Sequence, residues 1–152
     1  IAHGCNSILA TRAGLAVGPD IDGARLVRLS PDLPPQGVAG TAAALMRLAH
    51  SASFVFFDVW PTDALGHARD FEGAVKLLGL VDGLLSRIFG ADVTVVVTSD
   101  HGNLEDVSSG QHTLNKVPLL VSGRGAAAFV AAKSLLDVAP AIRRVWEQAE
   151  DA

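Results

Sequence analysis

The run Val93 to Val97 is β-branched at every position, and it constrains the fold more than any other segment. Apolar character without alternation is the pattern of a strand covered on both faces, as in a parallel sheet. The strand, read as Asp92 to Thr98, delivers Asp100 and His101 together at its end. A polar loop from Ser99 to Lys116 follows and carries His112. A second apolar run, Val117 to Ser122, then reads as another strand. A carboxylate and two imidazoles brought to one sheet edge are a metal-ligand set.

The segment FVFFDVWPTDALGHARD repeats the arrangement upstream. Ser53 to Val59 reads as a short aromatic strand that Pro61 stops. Asp63 and His67 follow in the loop, four positions apart. Five candidate ligands thus fall in clusters just past predicted strands, and open α/β sheets build their sites outside the carboxyl ends of strands. The convergence of five groups carries the reading, because each alone has a plainer one. A lone D-x-x-x-H pair is commonly a turn or cap. Asp100–His101–Gly102 alone reads as a polar strand end with a glycine turn. Asn103, Glu105 and Thr113 are candidates to orient metal ligands, or else ordinary loop hydrogen bonders.

Helical patterns fill the intervals. Val38 to His50 is alanine-rich, with Leu45, Met46 and Leu48 to bury. Asp70 caps a long helix to about Phe89, whose apolar residues Phe71, Ala74, Val75, Leu78, Val81, Leu85 and Ile88 keep the spacing of one buried face. GRGAAA reads as a turn, and Ser134 opens a last helix with Leu136, Val138, Ile142 and Trp146 on its inner side. Strands alternating with helices imply an α/β fold with a mostly parallel sheet and helices on both faces.

Composition excludes several classes. At 152 residues with 49% hydrophobic content, the chain is one domain's length and can bury a core. A net charge of −4 and the lack of a basic stripe argue against nucleic-acid binding. No apolar run approaches the ~20 residues of a membrane span. A single cysteine, Cys5, excludes an internal disulfide framework and fits a cytoplasmic setting. It reads as a packed residue rather than a nucleophile. His3, His50, Trp60 and Trp146 read as structural. Residues 1–37 are the least legible, with SPDLPPQG as a turn or linker. They are expected to be the remnant of a longer domain, and 38–152 the metal-binding part.

TDALGH, TSDHGNLED and HTLNKVPLLVSG, in that order, resemble the metal-binding half of the alkaline phosphatase superfamily. The branch is the one that holds cofactor-independent phosphoglycerate mutase and phosphopentomutase. The match runs from about Phe54 to Ile142, and SLLDVAPAI resembles the superfamily's closing helix. The resemblance implies an alkaline-phosphatase-like fold and two divalent ions, Mn²⁺ or Zn²⁺. It assigns one ion to Asp63, His67 and His112 and a second to Asp100 and His101, with one complete site expected in this chain. It implies phosphomutase-like or phosphatase-like transfer on a small phosphorylated metabolite. In the family an N-terminal aspartate and a Ser or Thr nucleophile complete the second site. Neither is recognisable here: Asp22–Gly23 has the letters of the family's first strand end without a strand before it, and Ser7 and Thr11 are hydroxyls only. A non-catalytic metal-binding or interaction module is the alternative, as is a sulfatase-like or phosphodiesterase-like hydrolase.

Overall fold

The computed structural model describes residues 2–4, 8–32 and 36–150. Cys5 and Ser7, and part of the SPDLPPQG turn, lie outside them. The described chain divides into two units, one formed by residues 1–88 with 103–113 and the other by 89–102 with 114–152.

In the first unit, β1 (Ala2–Gly4) pairs in parallel with β2 (Val55–Phe57), His3 opposite Phe56. Helices α1 (Ile8–Arg12) and α2 (Ala24–Leu29) occupy the stretch that was least legible in sequence. Asp22–Gly23 forms the turn before α2, with Asp22 Oδ1 accepting from the Ala24 N–H at 3.0 Å. Arg12 reaches past α1 to bind Asp32 through both carboxylate oxygens, at 2.7 and 2.6 Å. Helix α3 (Gly37–Ser51) packs along α5 (Phe71–Ile88). Leu45 and Leu48 are buried as expected, and His50 lies in the last turn of α3.

Between β2 and α5 stands α4 (Pro61–Ala68), where the sequence suggested a loop. Pro61 ends the strand and opens the helix, because its fixed φ suits a first helical position. Asp70 caps α5 as expected, its Oδ1 accepting from the Gly73 N–H at 2.8 Å. The buried face of α5 differs from the expected one. Ala74, Leu77, Leu84 and Ile88 are buried, whereas Phe71, Val75 and Leu78 are exposed. The helix carries two overlapping apolar stripes, and packing against α3 and α4 buries the one through Ala74, Leu77 and Leu84.

The second unit holds β3 (Val95–Thr98) and β4 (Leu119–Ser122), paired antiparallel with Val95 opposite Ser122 and Thr98 opposite Leu119. This corrects the parallel reading. Parallel neighbours need a crossover, usually a helix, whereas the segment between these strands holds only the 3₁₀ turn Leu104–Asp106. Among the described residues there are two separate two-stranded ladders in place of one mostly parallel sheet. The fold is mixed α/β.

GRGAAA forms a 3₁₀ helix, Arg124–Phe129, rather than a turn. The Gly125 N–H donates to Thr94 Oγ1 at 3.0 Å. Ser134 does open the closing helical segment, through a capping box with Asp137 and a 3₁₀ turn (Leu135–Asp137) leading into α6 (Val138–Glu150). The core of that segment is not the expected set. Ala141 is fully buried, whereas Leu136 and Trp146 are exposed. Helix α6 packs on the Arg124–Phe129 3₁₀ helix, and a Cβ on Gly125 would come within 2.7 Å of Val145. So close an approach selects small residues over large ones.

Candidate metal centre

Asp63 and His67 share one face of α4 because four residues make about one helical turn. Asp63 lies in the first turn, where a carboxylate meets the positive end of the helix dipole. His112 arrives from the 103–113 segment. Its Nε2 lies 3.3 Å from Asp63 Oδ1 and 3.2 Å from His67 Nε2. Asp63 Oδ1 lies 3.4 Å from His67 Nε2. The three ligand atoms fall within 4.8 Å of one another, on side chains about half exposed.

His67 is oriented from behind. Its Nδ1–H donates to the carbonyl oxygen of Gly110 at 2.9 Å. That bond selects the tautomer with its lone pair on Nε2, the nitrogen facing His112 and Asp63. One carboxylate and two imidazoles so disposed are a donor set for a divalent cation.

The polar residues around His112 tie its loop together. Glu105 accepts through Oε2 from the Asn103 N–H at 2.7 Å and through Oε1 from the Thr113 hydroxyl. One carboxylate therefore links both ends of the 103–113 segment. Asn103 is 5% exposed and lies against Gly66 of α4, leaving no room for a Cβ there.

Asp100 and His101 follow β3 in the second unit. His101 Nε2 stands 3.6 Å from Asp100 Oδ1, and the Asp100 side chain is 87% exposed. Ser99 Oγ donates to the His101 carbonyl at 2.7 Å.

A model of the Metalloenzyme superfamily matches residues 27–145, which takes in α4, both histidine segments and most of α6. The chain belongs to that superfamily. Its relatives include proteins named 2,3-bisphosphoglycerate-independent phosphoglycerate mutase. The one from Chromobacterium violaceum is 34% identical over 127 residues, 73% of this chain and 24% of the relative. The one from Thiobacillus denitrificans is 36% identical over 94 residues, 55% of this chain and 18% of the relative. The one from Desulforudis audaxviator is 38% identical over 91 residues, 53% and 18% of the two chains. The chain thus spans about a quarter or less of the length of these relatives. No solved structure matches. Among the described residues, no helix is long and apolar enough to cross a membrane.

Membership in a metalloenzyme family and the Asp63–His67–His112 cluster point to a metal. Sequence reasoning missed two residues beside this cluster. Gly110 acts through its carbonyl, which no side-chain pattern advertises. Arg69 departs from the rule that glycine ends a helix in the left-handed conformation, so its letter gave no signal.

Proposed function

We propose that this chain is the metal-holding part of a phosphoryl-transfer enzyme, phosphomutase-like or phosphatase-like, with an alkaline-phosphatase-like fold. Its substrate class is a small phosphorylated metabolite. The carrying observation is the convergence of Asp63, His67 and His112 to within 4.8 Å. These three residues hold one divalent cation, Mn²⁺ or Zn²⁺. Asp100 and His101 contribute to a second. Asn103, Glu105 and Thr113 orient the loop that brings His112 to α4.

A bound divalent cation neutralises phosphoryl oxygens and lowers the pKa of a hydroxyl at the site. The chain's own residues supply the rest. The Gly110 carbonyl orients the His67 ring so that Nε2 faces the cation. The Asp63 carboxylate offsets part of the cation's charge, and the exposure of the cluster leaves it open to a solvated phosphate. The proteins named phosphoglycerate mutase support a mutase reading over a hydrolase.

The test is elemental analysis after extensive dialysis of the chain with Zn²⁺ or Mn²⁺. The expected value is about one equivalent per chain, lost in Asp63→Ala and His112→Ala. Retention of the metal in both variants would remove the basis of the proposal. Activity on phosphate monoesters, in a longer protein carrying this segment, separates catalysis from metal storage. A metal-loaded, inactive longer protein favours the non-catalytic module.

A further inference from the structure

Arg69 is the one non-glycine residue with positive φ among the described residues, at φ 56°. It stands just past α4. Its N–H bonds the Gly66 carbonyl at 3.1 Å, and the Asp70 N–H bonds the Leu65 carbonyl at 3.1 Å. This paired closure puts Arg69 at the position glycine ordinarily fills, because a Cβ is strained there. An arginine at that place carries a backbone cost that glycine would not, and such outliers gather where the surrounding structure uses them.

The use is visible in the side chain. Arg69 Nη2 donates to the Ser109 carbonyl at 3.0 Å. Its Nε lies so near the next residue that a Cβ on Gly110 would come within 2.7 Å of it. Gly110 itself sits at φ 63°, and its carbonyl accepts the Nδ1–H of His67. Two residues further on is His112. The guanidinium therefore grips the Ser109–Gly110 peptide, which directly precedes the Gly110 carbonyl that orients one imidazole and whose continuation presents the other. A planar guanidinium, with its donors in a fixed fork, suits this task.

We propose that Arg69 is a positioning residue for the metal site. It holds the Ser109–Gly110 peptide so that His67 keeps its proton on Nδ1 and His112 approaches Asp63. The proposal rests on the metal reading of Asp63, His67 and His112, and it goes beyond that reading by naming what fixes their geometry.

The experiment compares the whole chain with Arg69→Gly and Arg69→Lys. Three readouts are needed: calorimetric titration with Zn²⁺ and with Mn²⁺ alone, long-range ¹H–¹⁵N spectra of the imidazoles without metal, and the melting temperature. Arg69→Gly relieves the backbone, so its metal-free melting temperature should equal or exceed the parent's. Its Kd for metal should rise by about tenfold or more, within the range seen for residues that orient ligands. His67 should no longer be held in the Nδ1–H form. Unchanged Kd and an unchanged His67 spectrum overturn the proposal, as does a lower melting temperature with unchanged Kd. If Arg69→Gly does not fold, Arg69→Lys decides: it keeps the backbone and charge but loses the fork, so parental Kd and His67 spectrum overturn the proposal. A parent chain that binds neither metal better than His112→Ala sinks the metal reading, and this proposal with it. A parent that binds while Arg69→Gly binds equally sinks this proposal alone.

Discussion

The carboxamide of Asn103 stands where a Cβ of Gly66 would be, with its Oδ1 nearest that point. Two stretches more than thirty residues apart in sequence are thereby held in direct contact, one carrying Asp63 and His67 and the other leading to His112. Gly66→Ala is expected to destabilise the fold by about 1–3 kcal/mol, the usual cost of forcing atoms into a packed site. It should also weaken metal binding, because α4 and the 103–113 segment must part. Urea denaturation and metal titration of the same preparation check both halves. Asn103→Leu separates packing from polarity. A packing role alone leaves metal binding intact, whereas a role in orienting the ligands does not.

Glu105 closes the same segment from the other side. Its carboxylate takes the Asn103 N–H and the Thr113 hydroxyl, and Thr113 follows His112 directly. Glu105→Ala and Thr113→Val should each raise the metal Kd by about 10–100-fold, the range found when partners of ligating residues are removed. Thr113→Ser, which keeps the hydroxyl, should bind nearly as the parent does. Equal affinity across all three variants would assign Glu105 to loop structure only.

Asp137 offers a check away from the metal site. Its Oδ2 accepts the Lys133 N–H at 2.9 Å, the Ser134 N–H at 2.9 Å and the Ser134 hydroxyl at 3.0 Å. The Lys133 bond is the largest cause holding its carboxyl below the usual value of 3.8, with the Ser134 bonds next. A folded-state pKa below the unfolded one means that the ionised group stabilises the fold. That contribution is fully present above about pH 3.8 and is lost as pH falls through the lower folded value. Carboxyl NMR titration should therefore show Asp137 protonating below 3.8. Asp137→Asn should flatten this part of the acid limb of the stability curve. A titration at or above 3.8 would contradict the capping geometry.

Some of this was legible in sequence because local chemistry decided it. Asp70 begins α5 since a carboxylate there meets the free N–H of Gly73. Ser134 opens the closing segment for the same kind of reason. Elsewhere several readings fit the same letters. Pro61 ends a strand and begins a helix with one ring, so α4 was hidden behind a strand stop. Phe71, Val75 and Leu78 have the spacing of a buried face, yet the neighbouring stripe through Ala74, Leu77 and Leu84 packs. Such a choice belongs to tertiary contacts, not to periodicity. The β-branched run at β3 announced a strand, but its partner's direction depended on the chain returning without a crossover helix. Asp63, His67 and His112 were nameable from residue type and order. The carbonyl of Gly110 and the left-handed Arg69 behind them were not, because backbone geometry leaves no letter.

The two candidate clusters should differ in affinity. Asp63, His67 and His112 offer three ligand atoms held within 4.8 Å, with His67 oriented by a carbonyl. Asp100 and His101 offer two, with Asp100 largely in water. Two protein ligands leave a divalent ion mostly hydrated, and each missing ligand weakens the hold. Calorimetric titration of the chain should therefore resolve one tight equivalent and at most a second, much weaker one. His101→Ala should leave the tight phase in place, and His67→Ala should abolish it. His50→Ala, at the end of α3, should change neither. Loss of the tight phase in His101→Ala would move the principal site to the Asp100–His101 pair, and the assignment built on α4 would fail.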